Sequence, residues 1–270
     1  MAATEEQRVY PILWHIGPLK IHSYGLCLAL AFLLGAWIIT RRGRRHGLDE
    51  ADITRWVSLI LVSSIAGARI YYVVGHCNDY AGRWGDVIAI WRGGLVLQGG
   101  LLAGILASVL YSHRIGWRIG ILADVAAPAL AFGESLGRLG CYLNGCCFGG
   151  PTHCAWGVHF PEGSLSTELF SAQALHPTQL YLVLLQGSLG FFLLAMERWK
   201  PARAHRSTGS GLIFGSYLFL SSTIRFFVDS FRYYTEAERP LLGLAHSQLL
   251  AIPLVLAGLW IMVKAYRKGA

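Results

Sequence analysis

Charge is scarce in this sequence. Only 14% of the residues are charged, against 54% hydrophobic, and the mean hydropathy is +0.46. A soluble globular domain carries about 25% charged residues, so a soluble domain with its own core is excluded. Lysine and arginine vanish altogether between Cys141 and His176. The opening Met1–Gln7 lacks a basic n-region, so no cleaved signal peptide is expected. Neither half of the chain repeats the other, which speaks against the internal duplication of many transporters.

What is present is a series of long apolar runs. Seven are long enough to span a bilayer, at about 19–40, 54–75, 93–112, 119–138, 177–197, 209–230 and 245–263; a spanning helix takes roughly 20 residues. The expected fold is an all-α integral membrane protein of seven transmembrane helices. Residues 1–270 form a single membrane domain, with a small extracytoplasmic head loop region at about 141–175. Basic residues orient it. Arg41, Arg42, Arg44 and Arg45 follow the first run; Arg114 and Arg118 the third; Arg198, Lys200, Arg203 and Arg206 the fifth; Lys264, Arg267 and Lys268 the last. The positive-inside rule places the N-terminus outside and the C-terminus in the cytoplasm. The net charge of +8 is spread over these inner loops, not gathered on one face, so a nucleic-acid partner is excluded.

In this topology the polar residues align in depth. Tyr24, Arg69, Gln98, Glu134, Arg138, Arg225, Asp229, His246 and Gln248 all fall near the outer ends of their spans, and Asp124 alone near an inner end. The expectation is one polar cavity open to the outer leaflet. An arginine in hydrocarbon costs at least about 2.5 kcal/mol, so Arg138 and Arg225 mark function. A guanidinium grips a phosphate with two parallel hydrogen bonds, and anionic lipid headgroups are the phosphates at hand. Asp229, four residues after Arg225, meets it on one helix face. Arg69 is either a second phosphate grip or a clamp on main-chain carbonyls.

The stretch 137–152 reads GRLGCYLNGCCFGGPT. Glycines at 137, 140, 145 and 149, followed by Gly150-Pro151, predict a hairpin rather than helix. Successive N–H groups in such turns can form an anion nest, with Gly140, Gly145, Gly149 and the Asn144 amide as a phosphate cradle.

This hairpin resembles the signature of the prolipoprotein diacylglyceryl transferases, in a Gly-Cys-Cys variant. Further matches run in order along nearly the whole chain: His22-Ser23-Tyr24-Gly25, Gly67-Ala68-Arg69, Trp91-Arg92-Gly93-Gly94-Leu95, Gly99-Gly100, Asp124 to Pro128, His176-Pro177-Thr178-Gln179-Leu180-Tyr181, Arg225 to Asp229 and Ser247-Gln248. The resemblance implies a bacterial inner-membrane enzyme of lipoprotein biogenesis. It would move diacylglyceryl from phosphatidylglycerol to the thiol of the lipobox cysteine in a prolipoprotein signal peptide, forming a thioether and releasing glycerol phosphate. The chain departs from the pattern at several places. Gln98 stands where many members carry a histidine proposed as general base, and an amide takes up no proton. Cys141 replaces asparagine, Cys146 an acidic residue, Asp229 glutamate, and Leu182 a common glutamate.

The expected catalytic set is Arg138, Arg225, Tyr24 and Gln98. Arg69, Asn144, Gly140, Gly145, Gly149 and Asp229 are assigned to substrate binding. Tyr24 and Asn144 orient the lipid, and a nearby guanidinium helps a thiol become thiolate. No cofactor and no metal are required. Cys141, Cys146, Cys147 and Cys154 cluster in the outer loop with His153 and His159, as a disulfide, as free thiols or as a metal site. Two other functions stay open: a non-catalytic phosphatidylglycerol-binding homologue, and a thiol-redox or metal enzyme using this cluster. Asp124 and Pro128 are read as shaping span four, His176-Pro177 as opening span five, and Gly100-x-x-x-Gly104 and Gly211-x-x-x-Gly215 as close helix packing.

Overall fold

The computed structural model describes residues 10, 12–16, 19–80, 82–160, 165–171, 173–199 and 211–267. Met1–Gln7, Lys200, Arg203, Arg206 and Lys268, which entered the reading of the N-terminus and orientation, lie outside them, as do 161–164 and 172 of the expected head.

Eight α-helices account for most of the described chain: α1 (Ser23–Arg45), α2 (Glu50–Gly75), α3 (Leu97–Arg114), α4 (Ile119–Leu143), α5 (Leu165–Phe170), α6 (Thr178–Trp199), α7 (Leu212–Asp229) and α8 (His246–Arg267). The structure is that of a multi-pass membrane protein. Among the described residues six helices, α1, α2, α4, α6, α7 and α8, are long and apolar enough to cross a bilayer. The expected third run is a helix of 18 residues, but it begins with Leu97-Gln98-Gly99-Gly100 and ends with Ser112-His113-Arg114, which dilute its apolar character.

Two local features depart from expectation. Ile12–Ile16 (β1) and Leu19–His22 (β2) pair antiparallel just before α1, with Trp14 opposite Ile21. The glycine-rich stretch is not a hairpin from its start: α4 runs on through Gly137, Arg138 and Gly140 to Leu143. A glycine costs a helix roughly 1 kcal/mol, but tertiary packing decides most helical segments. Here the absent side chain is what admits a neighbour. A Cβ at Gly140 would lie 3.0 Å from Tyr24 Cδ2 and 3.1 Å from Cys27 Cβ, so α1 and α4 touch at that point.

The contacts divide the chain into two compact units, one of residues 39–122 and one of 1–38 with 123–270. In the first, α2 and α3 meet backbone to backbone. A Cβ at Gly99 would sit 2.4 Å from the Gly67 carbonyl oxygen, and Gly100 and Gly104 abut Ser64, as their spacing predicts. The Asp49 carboxylate accepts from the N–H groups of Ala51 and Asp52 and caps α2.

In the second unit, Ala127, Ala131, Leu189, Leu193, Ile213 and Tyr217 bring α4, α6 and α7 together. Helices α7 and α8 pack through Gly215 and Gly258, where a Cβ on Gly258 would stand 2.5 Å from Phe219 N. Asp124 does more than shape α4. Its carboxylate accepts from Gly211 N at 2.7 Å and Phe214 N at 2.8 Å. Gly211 has no side chain with which to cap α7, so Asp124 supplies both the hydrogen bonds and the negative charge that a helix N-terminus favours.

Candidate functional site

The opposite ends of these helices carry most of the candidate site residues. The first turn of α1 presents Tyr24, the last turns of α4 present Arg138 and Cys141, and the last turn of α7 presents Arg225 and Asp229. At the start of α8, Gln248 accepts from Ala245 N and donates through Nε2 to the Phe226 carbonyl and to Ser230 Oγ, both at 3.1 Å. That amide fastens α8 to the end of α7.

The loop after α4 is held from two sides. Gln179 Nε2 donates to the Cys146 carbonyl at 2.7 Å, and Thr178 Oγ1 to the Cys147 carbonyl at 3.1 Å. Gly149 donates to the His176 carbonyl and His176 back to Gly150, while Gly150 donates to the Phe231 carbonyl. Gly149 is a close-approach position: a Cβ there would lie 2.5 Å from His176 Cβ and 2.7 Å from the Phe231 carbonyl oxygen. Below this, Phe148, Val158, Phe160 and Leu175 form a small apolar cluster with Tyr142 and Phe170 against it. Trp156 Nε1 donates to the Tyr181 hydroxyl at 2.8 Å, and the same hydroxyl lies 3.0 Å from His176 Nδ1.

This arrangement corrects the expected backbone cradle. The N–H groups of Asn144, Gly145, Cys146, Gly149 and Gly150 already donate to main-chain carbonyls. They hold the loop's shape and are not turned outward as an anion nest. Gly145 supplies a turn with φ 69°, and Gly140 and Gly149 supply close approach. The Asn144 side chain is exposed.

Arg138 makes no hydrogen bond or ion pair among the described residues, and it acts electrostatically on both Tyr24 and Cys147. Arg225 Nε lies 3.6 Å from Asp229 Oδ2. The Asp229 carboxylate is buried, and neither oxygen accepts a hydrogen bond among the described residues. The sequence reading missed a third arginine, Arg232. Its guanidinium lies 5.1 Å over the Tyr234 ring and acts on both Cys147 and Asp229. Burial works against its charge, but Cys147, Tyr234 and Asp229 outweigh it and hold Arg232 more firmly protonated than usual. Arg138, Arg225 and Arg232 all belong to a single compact unit. Arg232 was legible as the next basic residue after Arg225, but it falls beyond the apolar run.

All six cysteines are free thiols. Cys141, Cys146 and Cys147 converge, with sulfurs all within 4.8 Å of one another; exposed Cys154 is not part of the group. Hydrogen bonds from Cys141 and Cys146 push the Cys147 thiol well below its usual range; burial opposes this, and Arg232 and Arg138 reinforce it.

A further polar group lies deeper in the bundle. The Tyr217 hydroxyl donates to Glu134 Oε1, and Ser221 Oγ lies 3.3 Å from Glu134 Oε2. Arg225 acts electrostatically on Tyr217.

The remaining predicted residues belong to the 39–122 unit. Gln98 is exposed in the first turn of α3. Arg69 is a carbonyl clamp. Its Nε donates to Val87 O at 2.7 Å, Nη1 to Gly93 O and Gly94 O at 2.7 and 3.2 Å, and Nη2 to Asp86 O at 2.6 Å. With four donors committed to main-chain carbonyls, its guanidinium has no fork left to present to a phosphate. It orders the turns from Trp84 to Gly94 instead.

Residues 11–264 match the prolipoprotein diacylglyceryl transferase family. A protein of Parasynechococcus marenigrum named phosphatidylglycerol–prolipoprotein diacylglyceryl transferase is 33% identical over 222 residues, covering 82% of this chain and 80% of that relative. Proteins of the same name from Thermosynechococcus vestitus and Geobacter sulfurreducens are 30% and 31% identical, covering 94% and 96% of this chain and 92% and 96% of theirs.

Proposed function

Because the chain belongs to the prolipoprotein diacylglyceryl transferase family, we infer that it transfers a diacylglyceryl group from phosphatidylglycerol to a prolipoprotein. The acceptor is the lipobox cysteine of the precursor's signal peptide. Its sulfur forms a thioether, and glycerol phosphate leaves. The observation that carries this reading is the positive charge at Tyr24 and the α4 loop: Arg138 acts on Tyr24, Arg138 and Arg232 act on Cys147, and Arg225 lies 3.6 Å from Asp229.

The chemistry is displacement at the carbon that carries the phosphoester. Negative charge grows on the leaving phosphate, and preorganised cations placed there lower the barrier most in a site shielded from water. Arg138, whose guanidinium is uncommitted among the described residues, and Arg225, held by Asp229, grip the phosphate from two helices. Tyr24 orients the lipid from the facing turn of α1. The attacking sulfur must be a thiolate. Gln98 accepts no proton, so stabilisation of the thiolate falls to positive charge near the α4 loop. The loop and its aromatic cluster form the outer head that receives the peptide. Helix α3 completes seven spans in the bacterial cytoplasmic membrane, with the N-terminus outside and the C-terminus in the cytoplasm.

The test combines the purified protein, phosphatidylglycerol and a lipobox peptide. Transfer adds the diacylglyceryl mass to the cysteine-containing peptide and releases glycerol phosphate in equal amount. Binding of phosphatidylglycerol with no mass addition would make the chain a lipid-binding homologue.

A further inference from the structure

Three thiols in the last turn of α4 and the loop after it have no part in gripping lipid. The sulfurs of Cys141, Cys146 and Cys147 lie within 4.8 Å of one another. Three thiolates around a tetrahedral zinc stand about 3.8 Å apart, given a Zn–S bond of about 2.3 Å. Small rotations about the Cα–Cβ bonds close that difference.

The backbone that aims these sulfurs is fixed from outside. Cys147 has φ 65°, a left-handed conformation that a side chain adopts at a cost of roughly 1 kcal/mol. Gln179 and Thr178 clamp the carbonyls on either side of the Cys146–Cys147 peptide, at 2.7 and 3.1 Å. An adjacent pair of cysteines joined by a trans peptide is poorly placed to close on itself as a disulfide. A third cysteine reaching in from the last helical turn makes the group a tripod. Arg138 and Arg232 act on Cys147 and offset the surplus negative charge of three thiolates around a divalent ion.

We propose that Cys141, Cys146 and Cys147 bind one Zn²⁺ through three sulfurs and leave its fourth position open for the thiol of the incoming lipobox cysteine. Zinc bound by three protein ligands with an open position is the catalytic form of the site. A thiol that coordinates it is deprotonated outright. The proton leaves to solvent as the sulfur binds. The thiolate then attacks the glyceryl carbon, the C–S bond forms as the C–O bond breaks, and glycerol phosphate departs with the electron pair toward Arg138 and Arg225. The site supplies the thiolate that Gln98 cannot make. The proposal rests on the transferase reading.

The test uses the full chain, purified under a non-thiol reductant in micelles containing phosphatidylglycerol. Co²⁺ serves as the spectroscopic probe and Zn²⁺ as its competitor. The expected result is one Co²⁺ per chain, with thiolate charge-transfer absorption and tetrahedral visible bands that Zn²⁺ abolishes. Cys146→Ser and Cys147→Ser lose those bands, while Cys154→Ser keeps them. A lipobox peptide shifts the bands, and the same peptide with serine for cysteine does not. Chelation lowers transfer by ~10²-fold or more, the size of a lost general base, and Zn²⁺ restores it. Failure of the reduced wild type to bind Co²⁺, bands that ignore the peptide, or transfer that survives chelation each overturns the zinc site. Surviving transfer leaves the transferase reading intact. A peptide-dependent band shift with no transfer in any metal state supports the site and overturns the transferase reading instead.

Discussion

Asp229 lies one helical turn beyond Arg225, with its Oδ2 3.6 Å from the arginine Nε and its carboxylate buried. In the proposed reaction the carboxylate sets the direction of the guanidinium assigned to the phosphate. Asp229→Asn keeps the volume and removes the charge. Transfer (kcat) is expected to fall by roughly 10–100-fold, since a misplacement on the order of 1 Å near reacting groups costs up to about 10²-fold. Asp229→Glu, the residue usual in the family, recovers most of it. Unchanged kcat in a folded Asp229→Asn variant would contradict the positioning role.

Asp124 acts at the far end of the same helix. Asp124→Ala strips both partners from the buried N–H groups of Gly211 and Phe214. Losing such a cap costs about 1–2 kcal/mol, and the melting temperature in detergent is expected to drop by roughly 2–8 °C. Asp124→Asn retains one acceptor and loses less. The activity of the protein that stays folded is unchanged. Equal melting temperatures for Asp124→Ala and wild type would rule out capping.

Gly140 sets how closely Tyr24 approaches α4. Gly140→Val places methyl groups where Tyr24 Cδ2 and Cys27 Cβ already stand 3.0 and 3.1 Å from a Cβ. Transfer is expected to drop by about 10²-fold, the penalty for a displacement on the order of 1 Å near reacting groups. Gly140→Ala needs only a few tenths of an ångström and keeps more activity. The two variants differ little if Tyr24 has no role in orienting lipid.

Gln179 holds the cysteine loop. Gln179→Leu fills similar space but leaves the Cys146 carbonyl without its donor, at a cost of about 1–3 kcal/mol. Maleimide labelling of Cys146 and Cys147 is expected to quicken as the loop loosens, and transfer to fall with it. Unaltered labelling in a stable variant would show that the loop does not depend on this bond.

Much of this architecture was legible in the sequence, because a bilayer forces helices to be long and apolar and makes intramembrane charge expensive. Arg138, Arg225 and Asp229 stood out as candidates that way, and the glycine spacings of α3 and α7 pointed to close helix packing. Composition was less decisive for α3, where Gln98, Gly99, Gly100 and Arg114 interrupt the run. Local propensity misled at Gly137 and Gly140, which pattern reads as turn and packing makes helix. Side-chain partners were out of reach. Nothing in the sequence says that Asp124 caps a helix about ninety residues on, that Arg69 turns to four carbonyls, or that three of the outer cysteines converge while Cys154 stays apart. Long-range pairing of this kind depends on where the folded chain returns, and periodicity carries no record of it.

The most direct measurement compares wild type, Arg138→Lys and Arg138→Ala in transfer from phosphatidylglycerol to a lipobox peptide, with lipid binding followed alongside. Wild type adds the diacylglyceryl mass. Arg138→Lys keeps a point charge without the fork and retains a minor fraction of activity. Arg138→Ala stays folded and loses transfer by roughly 10²-fold or more, as when a group that stabilises developing charge is removed. Transfer at the wild-type rate by a folded Arg138→Ala protein would contradict the assignment of Arg138 to the phosphate.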